Sequence, residues 1–446
     1  MGGDVLNLYK PTQDGAEIVS ALATGTIALL VIGVQPILLG EMVEVRNATL
    51  EGVGMIAMSE IVALGLGVVL CDALLPLSRL RGTSIVAALF VSAVDLVTTF
   101  LTGDSNLAAM RSAAGLGEGV LLWVTTCVIV RSQSPDHIAA FFLVTQTLAQ
   151  AALAAIFASL LIPRAGWQGG FIALAAISLV PCIVVAWLPA RVAPLVTQVL
   201  ARFRWSITGA LPPTIALLQM AAIGALWAYL EPLGKRVGFD AQAAQAVTSG
   251  VLLMQVLGGT SASFVVRRLG AVRTLTISGL VLGAIPFAMH GLPPGATMRF
   301  ALLCAAFGFA WMFLMPFHIS LAFRADPTGR VAMLIPAMQL LGTAFGPLVA
   351  SLMVRGSDAG SVSSVSLGFA VAAVASSSSV VRVFVFPVVR SSETAIHFWR
   401  DHKDTTRGNA RNGCRCLRIR HAQFFLGKAE LPSDKLSRRG ILFTSV

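Results

Sequence analysis

The chain has 446 residues, of which 56% are hydrophobic and only 12% charged, with a mean hydropathy of +0.82 and a formal charge of +11. So few polar groups cannot cover a water-facing surface, which excludes a soluble globular domain and makes lipid the solvent for most of the chain. The charge is uneven: residues 387–446 hold 12 Lys/Arg against 5 Asp/Glu, a cationic tail on a nearly neutral body, which argues for a membrane protein and against a nucleic-acid partner.

Residues 1–17 carry Asp4, Lys10, Asp14 and Glu17 ahead of the first apolar run. That composition predicts a cytoplasmic N-terminal segment and a retained helix rather than a cleaved signal. A membrane helix needs about 20 mainly apolar residues to cross about 30 Å of hydrocarbon. Twelve such runs follow, at 18–40, 53–73, 83–102, 106–130, 137–162, 169–189, 208–230, 242–265, 273–290, 299–322, 331–354 and 361–386. Ser376–Ser379 and Arg382 dilute the last. The predicted fold is an all-α membrane protein with twelve transmembrane helices in two pseudo-symmetric six-helix halves. The expected parts are an N-terminal half at 18–189, a cytoplasmic linker at 190–207, a C-terminal half at 208–386 and a disordered tail at 387–446. Eleven loop arginines fall on the side of the N-terminus and six Lys/Arg on the other, so both termini are placed in the cytoplasm and the chain in the cytoplasmic membrane.

Short internal matches suggest a duplication. TIALL occurs at Thr26–Leu30 and Thr214–Leu218, an offset of 188, and RLRG at Arg79–Gly82 faces RRLG at Arg267–Gly270 at the same offset. Farther on the offset becomes 193: Gly115 faces Gly308, Arg131 faces Arg324, Ala139 faces Ala332 and Gln146 faces Gln339. Parallel six-helix repeats about an axis normal to the membrane imply a solute path at their interface.

Charged side chains at bilayer depth cost about 2.5–3.5 kcal/mol each on insertion scales, so they face partners or water. Four lie inside the predicted N-half helices: Glu60, Asp95, Arg111 and Glu118. Arg111, Gly115, Glu118 and Thr125 share one face of the fourth helix. Counting residues from the helix ends puts Glu60, Asp95 and Arg111 at one depth and Glu118 deeper. Arg111 is expected to pair with Glu60 or Asp95. Low dielectric disfavours an ionised carboxyl, so Glu118 is the expected proton-exchanging group. A static ion pair that only holds helices together is the competing reading. Gln35 and Gln219 are expected along the solute path, with Gln255 and Gln339 the other polar groups of the second half. Gln35-Pro36 and Pro212-Pro213 are candidate kinks, since a proline leaves a carbonyl unpaired. Trp227, Tyr229 and Trp311 serve packing, anchoring or stacking on a solute.

RSAAGLGEG (Arg111–Gly119) resembles the fourth-helix motif of the major facilitator superfamily of secondary transporters, an Arg followed by glycines. In that family the Arg is linked to proton coupling. GTAFGP (Gly342–Pro347) resembles the family's Gly-x-x-x-Gly-Pro antiporter motif, with Gly342, Gly346 and Pro347 as helix-packing positions, although drug exporters carry it in the fifth helix and here it falls in the eleventh. The family's gating loop between helices two and three is similar to Asp72, Arg79 and Arg81, and its second copy to Arg267, Arg268 and Gly270. The resemblance implies that an Asp72–Arg contact breaks and re-forms during the cycle. QPILLGEMVE (Gln35–Glu44) is similar to the first helix of multidrug exporters.

The expected function is secondary active transport of a small organic solute by alternating access, with protons as coupling ion. Export of a hydrophobic or amphipathic compound is favoured, in the manner of bacterial drug and metabolite exporters. Import of a metabolite such as an organic acid held by Arg111 is the runner-up, and a transporter-like sensor reporting through its tail is a third. No cofactor, metal or nucleic-acid partner is expected, and the chain is read as a monomer. The six His residues form no ligand set, the Cys414-Arg-Cys416 pair has no completing partner, and GLGEG lacks the Lys-Ser/Thr of a phosphate loop, so an enzyme is not expected.

Overall fold

A computed structural model describes residues 15–133, 135–189, 192, 207–266, 268–326, 330–355 and 358–384. The tail 387–446, Arg267, the Arg382 side chain and nearly all of the 190–207 linker lie outside the described residues.

The described chain is helical: α1 (Gly15–Glu44), α2 (Leu50–Leu74), α3 (Leu80–Thr98), α4 (Asp104–Ile129), α5 (Pro135–Ile156), α6 (Ile162–Ile177), α7 (Val180–Val184), α8 (Ile207–Ala228), α9 (Leu230–Val237), α10 (Ala241–Val265), α11 (Ala271–His290), α12 (Thr297–Ala325), α13 (Arg330–Met353) and α14 (Gly360–Phe384). Eleven segments are long and apolar enough to cross a membrane, and one of them, His137–Trp187, is 51 residues long. As a straight helix it would extend roughly 75 Å. It does not run straight. Gly166 adopts φ 61°, ψ −168°, a conformation open essentially to glycine alone. Beyond it the chain doubles back, so that a Cβ on Gly170 would lie 3.3 Å from Phe157 Cε2, where 13 residues of continuous helix would set them about 20 Å apart. The eleven segments therefore make twelve passes, in two sets of six. The expected spans match the helices to within a few residues apart from the sixth, 169–189, which is divided between α6 and α7, and Lys235 and Arg236, read as loop, lie in the short helix α9.

Helix contacts repeat between the halves. A Cβ on Gly67 of α2 would strike the Leu116 carbonyl of α4, and one on Gly258 of α10 would strike the Phe309 carbonyl of α12. Gly115 meets the Glu60 carbonyl as Gly308 meets that of Val251, and Gly33 meets Gln150 as Gly224 meets Thr343. These contacts define one register: an offset of 191 for the first two helices of each half and 193 for the fourth and fifth. The 193 offset of the sequence reading agrees with the contacts. The 188 offset does not. TIALL is three residues out of structural register, nearly a full turn, and Arg79 stands opposite Gly270, each just before its helix, rather than opposite Arg267. The pentapeptide match is a coincidence of an alphabet dominated by Ala and Leu.

Two ends of the bundle differ. The distal end carries the α1–α2 turn and the proximal end the start of α1. One apolar core, including Ile37, Val53 and Phe157 of the first half and Leu226, Leu230 and Phe300 of the second, spans both halves toward the distal end. Toward the proximal end, one cluster around Trp123 and Leu80 belongs to the first half alone and another around Ala332 and Ile335 to the second alone.

Candidate functional site

The central feature is a charged cluster buried among α1, α2, α3, α4 and α6. Gly115 and Gly119 make it possible, because side chains there would collide with the α2 carbonyls of Glu60 and Leu64. Their absence lets α2 and α4 meet backbone to backbone. Glu60 then lies against Arg111, half a turn to one turn away on the facing helix. Arg111 Nε donates to Glu60 Oε1 at 2.9 Å, Nη2 also pairs with Glu60 Oε1, and Nη1 donates to Asp95 Oδ1 at 2.6 Å. Glu118 Oε1 lies 3.5 Å from Nη2, and the ring centroid of Phe171 sits 5.0 Å from Cζ. Gln35 Nε2 donates to Glu60 Oε2 at 3.1 Å. All five polar residues are at most 3% exposed. Arg111 thus engages both of its expected partners at once. Glu118 Oε2 and Gln35 Oε1 have no hydrogen-bond partner.

The second half has no such cluster among its described residues. By the contact register, the positions equivalent to Arg111, Glu118, Glu60 and Gln35 are Cys304, Trp311, Val251 and Leu226, all apolar. Gln219, expected on the solute path with Gln35, does not join the Arg111 cluster. It lies in a separate polar chain within the second half, with its amide engaged at both ends. His318 Nε2 contacts Gln219 Oε1 at 2.7 Å, Gln339 Nε2 contacts His318 Nδ1 at 3.0 Å, and Gln219 Nε2 donates to the Leu275 carbonyl at 3.0 Å. An amide nitrogen only donates, so Nδ1 accepts and Nε2 carries the proton. Sequence reasoning does not single out His318. Its partners lie 99 and 21 residues away, and no short spacing signals them.

The gating positions stand apart from one another. Asp72 accepts the indole N–H of Trp123 at 3.2 Å, and Arg81 Nε donates to the Leu188 carbonyl at 2.7 Å rather than to Asp72. Arg79 precedes α3 without a side-chain capping bond. Arg268 and Gly270 are exposed, and Arg267 is outside the described residues. Gly342 and Gly346 seat α13 on α8, each where a Cβ would meet a backbone carbonyl, of Leu217 and Ala221. The Pro347 carbonyl sits against Gly54 of the other half.

Polar contacts also tie the halves at the distal end. Pro36 has no N–H to offer the carbonyl four residues back, that of Ile32. Trp227 Nε1 of the second half donates to that carbonyl at 3.0 Å, and Gly54 N donates to Tyr229 Oη at 3.1 Å. Trp227 also packs edge-on against Trp311 of its own half at 5.3 Å. Glu41, Glu44 and Glu231 bring carboxylate oxygens within 4.8 Å of one another. The Lys235 ammonium pairs with Glu44 and Glu231.

The described chain thus makes twelve helical passes in two like-built halves, with a buried charge cluster in one. The structure is similar to that of the nucleoside transporter NupG, solved as a point mutant, with a TM-score of 0.65 and 14% identity over 81% of this chain and 99% of that one. It is also similar to a bacterial homolog of the human lysosomal transporter Spinster, solved in an inward-facing, occupied conformation (TM-score 0.63, 13% identity, 82% of this chain and 97% of that one). A D-xylose–proton symporter matches at a TM-score of 0.61 with 15% identity, over 81% of this chain and 97% of that one. The likeness is one of fold. No family model matches the sequence, and no curated protein matches it either.

Proposed function

We propose that the chain is a proton-coupled secondary transporter that moves a small organic solute by alternating access between its two halves. The observation that carries this reading is the Arg111 cluster: three carboxyls around one guanidinium, all buried. Fully ionised, it would hold two uncompensated negative charges out of water, at a cost of several kcal/mol per ion. Protons on the carboxyls restore neutrality. Glu118 is the natural exchanging member: it is the most distant from the guanidinium, and its Oε2 has no donor. Gly115 and Gly119 bring α2 and α4 backbone to backbone beside the cluster, which places Glu118 at that helix contact.

Arg111 directs its guanidinium to Glu60 and Asp95, so an organic acid would have to displace a carboxylate to bind it. That favours a neutral or amphipathic solute, as do the apolar counterparts Cys304, Trp311 and Val251 in the second half. Export against an inward proton flow is our preferred direction. The bundle is joined at its distal end and packed as separate halves at its proximal end, which we read as the state open to the cytoplasm. The uncoupled Asp72, Arg79 and Arg81 fit that state, since a proximal gate would be undone in it. The experiment is transport by purified protein in proteoliposomes bearing a pH gradient, across a panel of amphipathic cations, neutral amphiphiles and small organic acids. Proton-gradient-driven movement of an amphiphile supports the proposal. Movement that ignores the gradient, or is confined to organic acids, refutes it.

A further inference from the structure

The distal end holds a second set of ionisable groups. α9 lies between the spans Gly209–Ala228 and Ala241–Val265. Its Glu231 is 0% exposed. The carboxylate rests on Gly40 of α1, where any Cβ would collide with it. A side chain of the second half therefore occupies a notch in the first half that glycine alone leaves. Lys235, one turn along, lies 2.8 Å from Glu231 Oε1 and also pairs with Glu44 of α1. Glu41 of α1 and Gln245 of α10 complete the surroundings. That is three carboxyls to one ammonium. Glu231 Oε2 has no hydrogen-bond partner, and neither has Gln245 Oε1, although Gln245 is only 1% exposed.

We propose that this cluster is a second proton-binding site, separate from the one at Arg111, and that a proton on Glu231 holds the distal end shut. The Glu231 carboxyl is buried with two other carboxyls against one ammonium, and its Oε2 has no hydrogen-bond partner, so a proton on it removes charge that burial disfavours. With the halves together, Glu231 is out of water and faces Glu41 and Glu44. Burial, the largest influence, pushes its carboxyl up to about 7. With the halves apart, the same carboxyl meets water and returns to about 4.3. The sign follows. The closed form binds the proton more tightly, so acid favours closure and alkali favours opening, and between about pH 4 and pH 7 each opening releases a proton. The partly exposed Glu44–Lys235 pair at the rim contributes little of its own. The inference does not depend on the solute or on Glu118, and it would stand if the Arg111 cluster carried no protons.

The test is a spin-label distance across the distal end, in a background without native cysteines and in phosphatidylethanolamine–phosphatidylglycerol nanodiscs. Labels go at Phe100 of the first half and Met298 of the second, 85% and 73% exposed and away from the cluster. Between pH 8.5 and pH 6.0 the closed-to-open ratio is expected to rise about tenfold. Glu231→Gln is expected to abolish that response and stay closed at both pH values, whereas Glu118→Gln keeps it. Gly40→Ala, which retains the acid but evicts it from the notch, is expected to abolish it too, with the open form favoured. A wild-type ratio that does not move, moves the other way, or moves equally in Glu231→Gln overturns the proposal.

Discussion

The backbone carbonyl of Glu60 occupies the space in which a side chain at residue 115 would begin. The contact is backbone against backbone, so neither side can yield by changing rotamer. Gly115→Ala is expected to push α2 from α4, costing about 1–3 kcal/mol in stability and loosening the Glu60–Arg111 pair. Gly270 precedes α11 with nothing within 4 Å of its missing Cβ, so Gly270→Ala should leave the melting temperature unchanged. Thermal unfolding in detergent compares the two directly.

The Ile32 carbonyl is left without a helical donor by Pro36 and takes the Trp227 indole instead. Trp227→Phe is expected to orphan it, at about 1–3 kcal/mol, and to weaken distal closure. Pro36→Ala in the same background returns an N–H to α1 and should recover part of the loss. A double-mutant cycle on unfolding midpoints measures the coupling; strict additivity would show that the carbonyl has another donor.

Arg111 reaches Glu60 and Asp95 with different arms of one planar fork. A lysine carries the charge but not the fork. Arg111→Lys is expected to fold with reduced transport, while Arg111→Met leaves buried carboxyls unpaired and costs about 3–5 kcal/mol. Adding Glu60→Gln to Arg111→Met should recover part of the stability, since Asp95 stays unpaired, without restoring transport. Melting curves and vesicle uptake, read together, separate the two effects.

The sequence is most legible where lipid makes polarity expensive. Twelve apolar runs and four interior charges stand out because hydrocarbon tolerates neither short helices nor stray ions. What lies between helices is less legible. His318 reads as an isolated polar residue until folding brings Gln219 and Gln339 to its two nitrogens. Glu231 sits next to what reads as a charged loop, and nothing local says that it is buried against Gly40. The repeat is visible at Gly115 and Gly308, where a steric demand fixes the residue, and misleading at TIALL, where many apolar residues would serve.

His318 is expected to hold its proton on Nε2, with both ring nitrogens bonded to amides. Nitrogen-15 spectra of histidine-labelled protein should show that single neutral tautomer. Gln339→Leu removes the donor to Nδ1 and is expected to cost about 1–3 kcal/mol and to mix the tautomers.

The central claim is that Glu118 exchanges protons beside a guanidinium already held by Glu60 and Asp95. The direct measurement is solute-dependent proton flux in proteoliposomes, wild type against Glu118→Gln, with solute exchange followed in the same vesicles. The account predicts that the variant loses the proton flux and keeps the exchange. Undiminished proton flux in Glu118→Gln would contradict it.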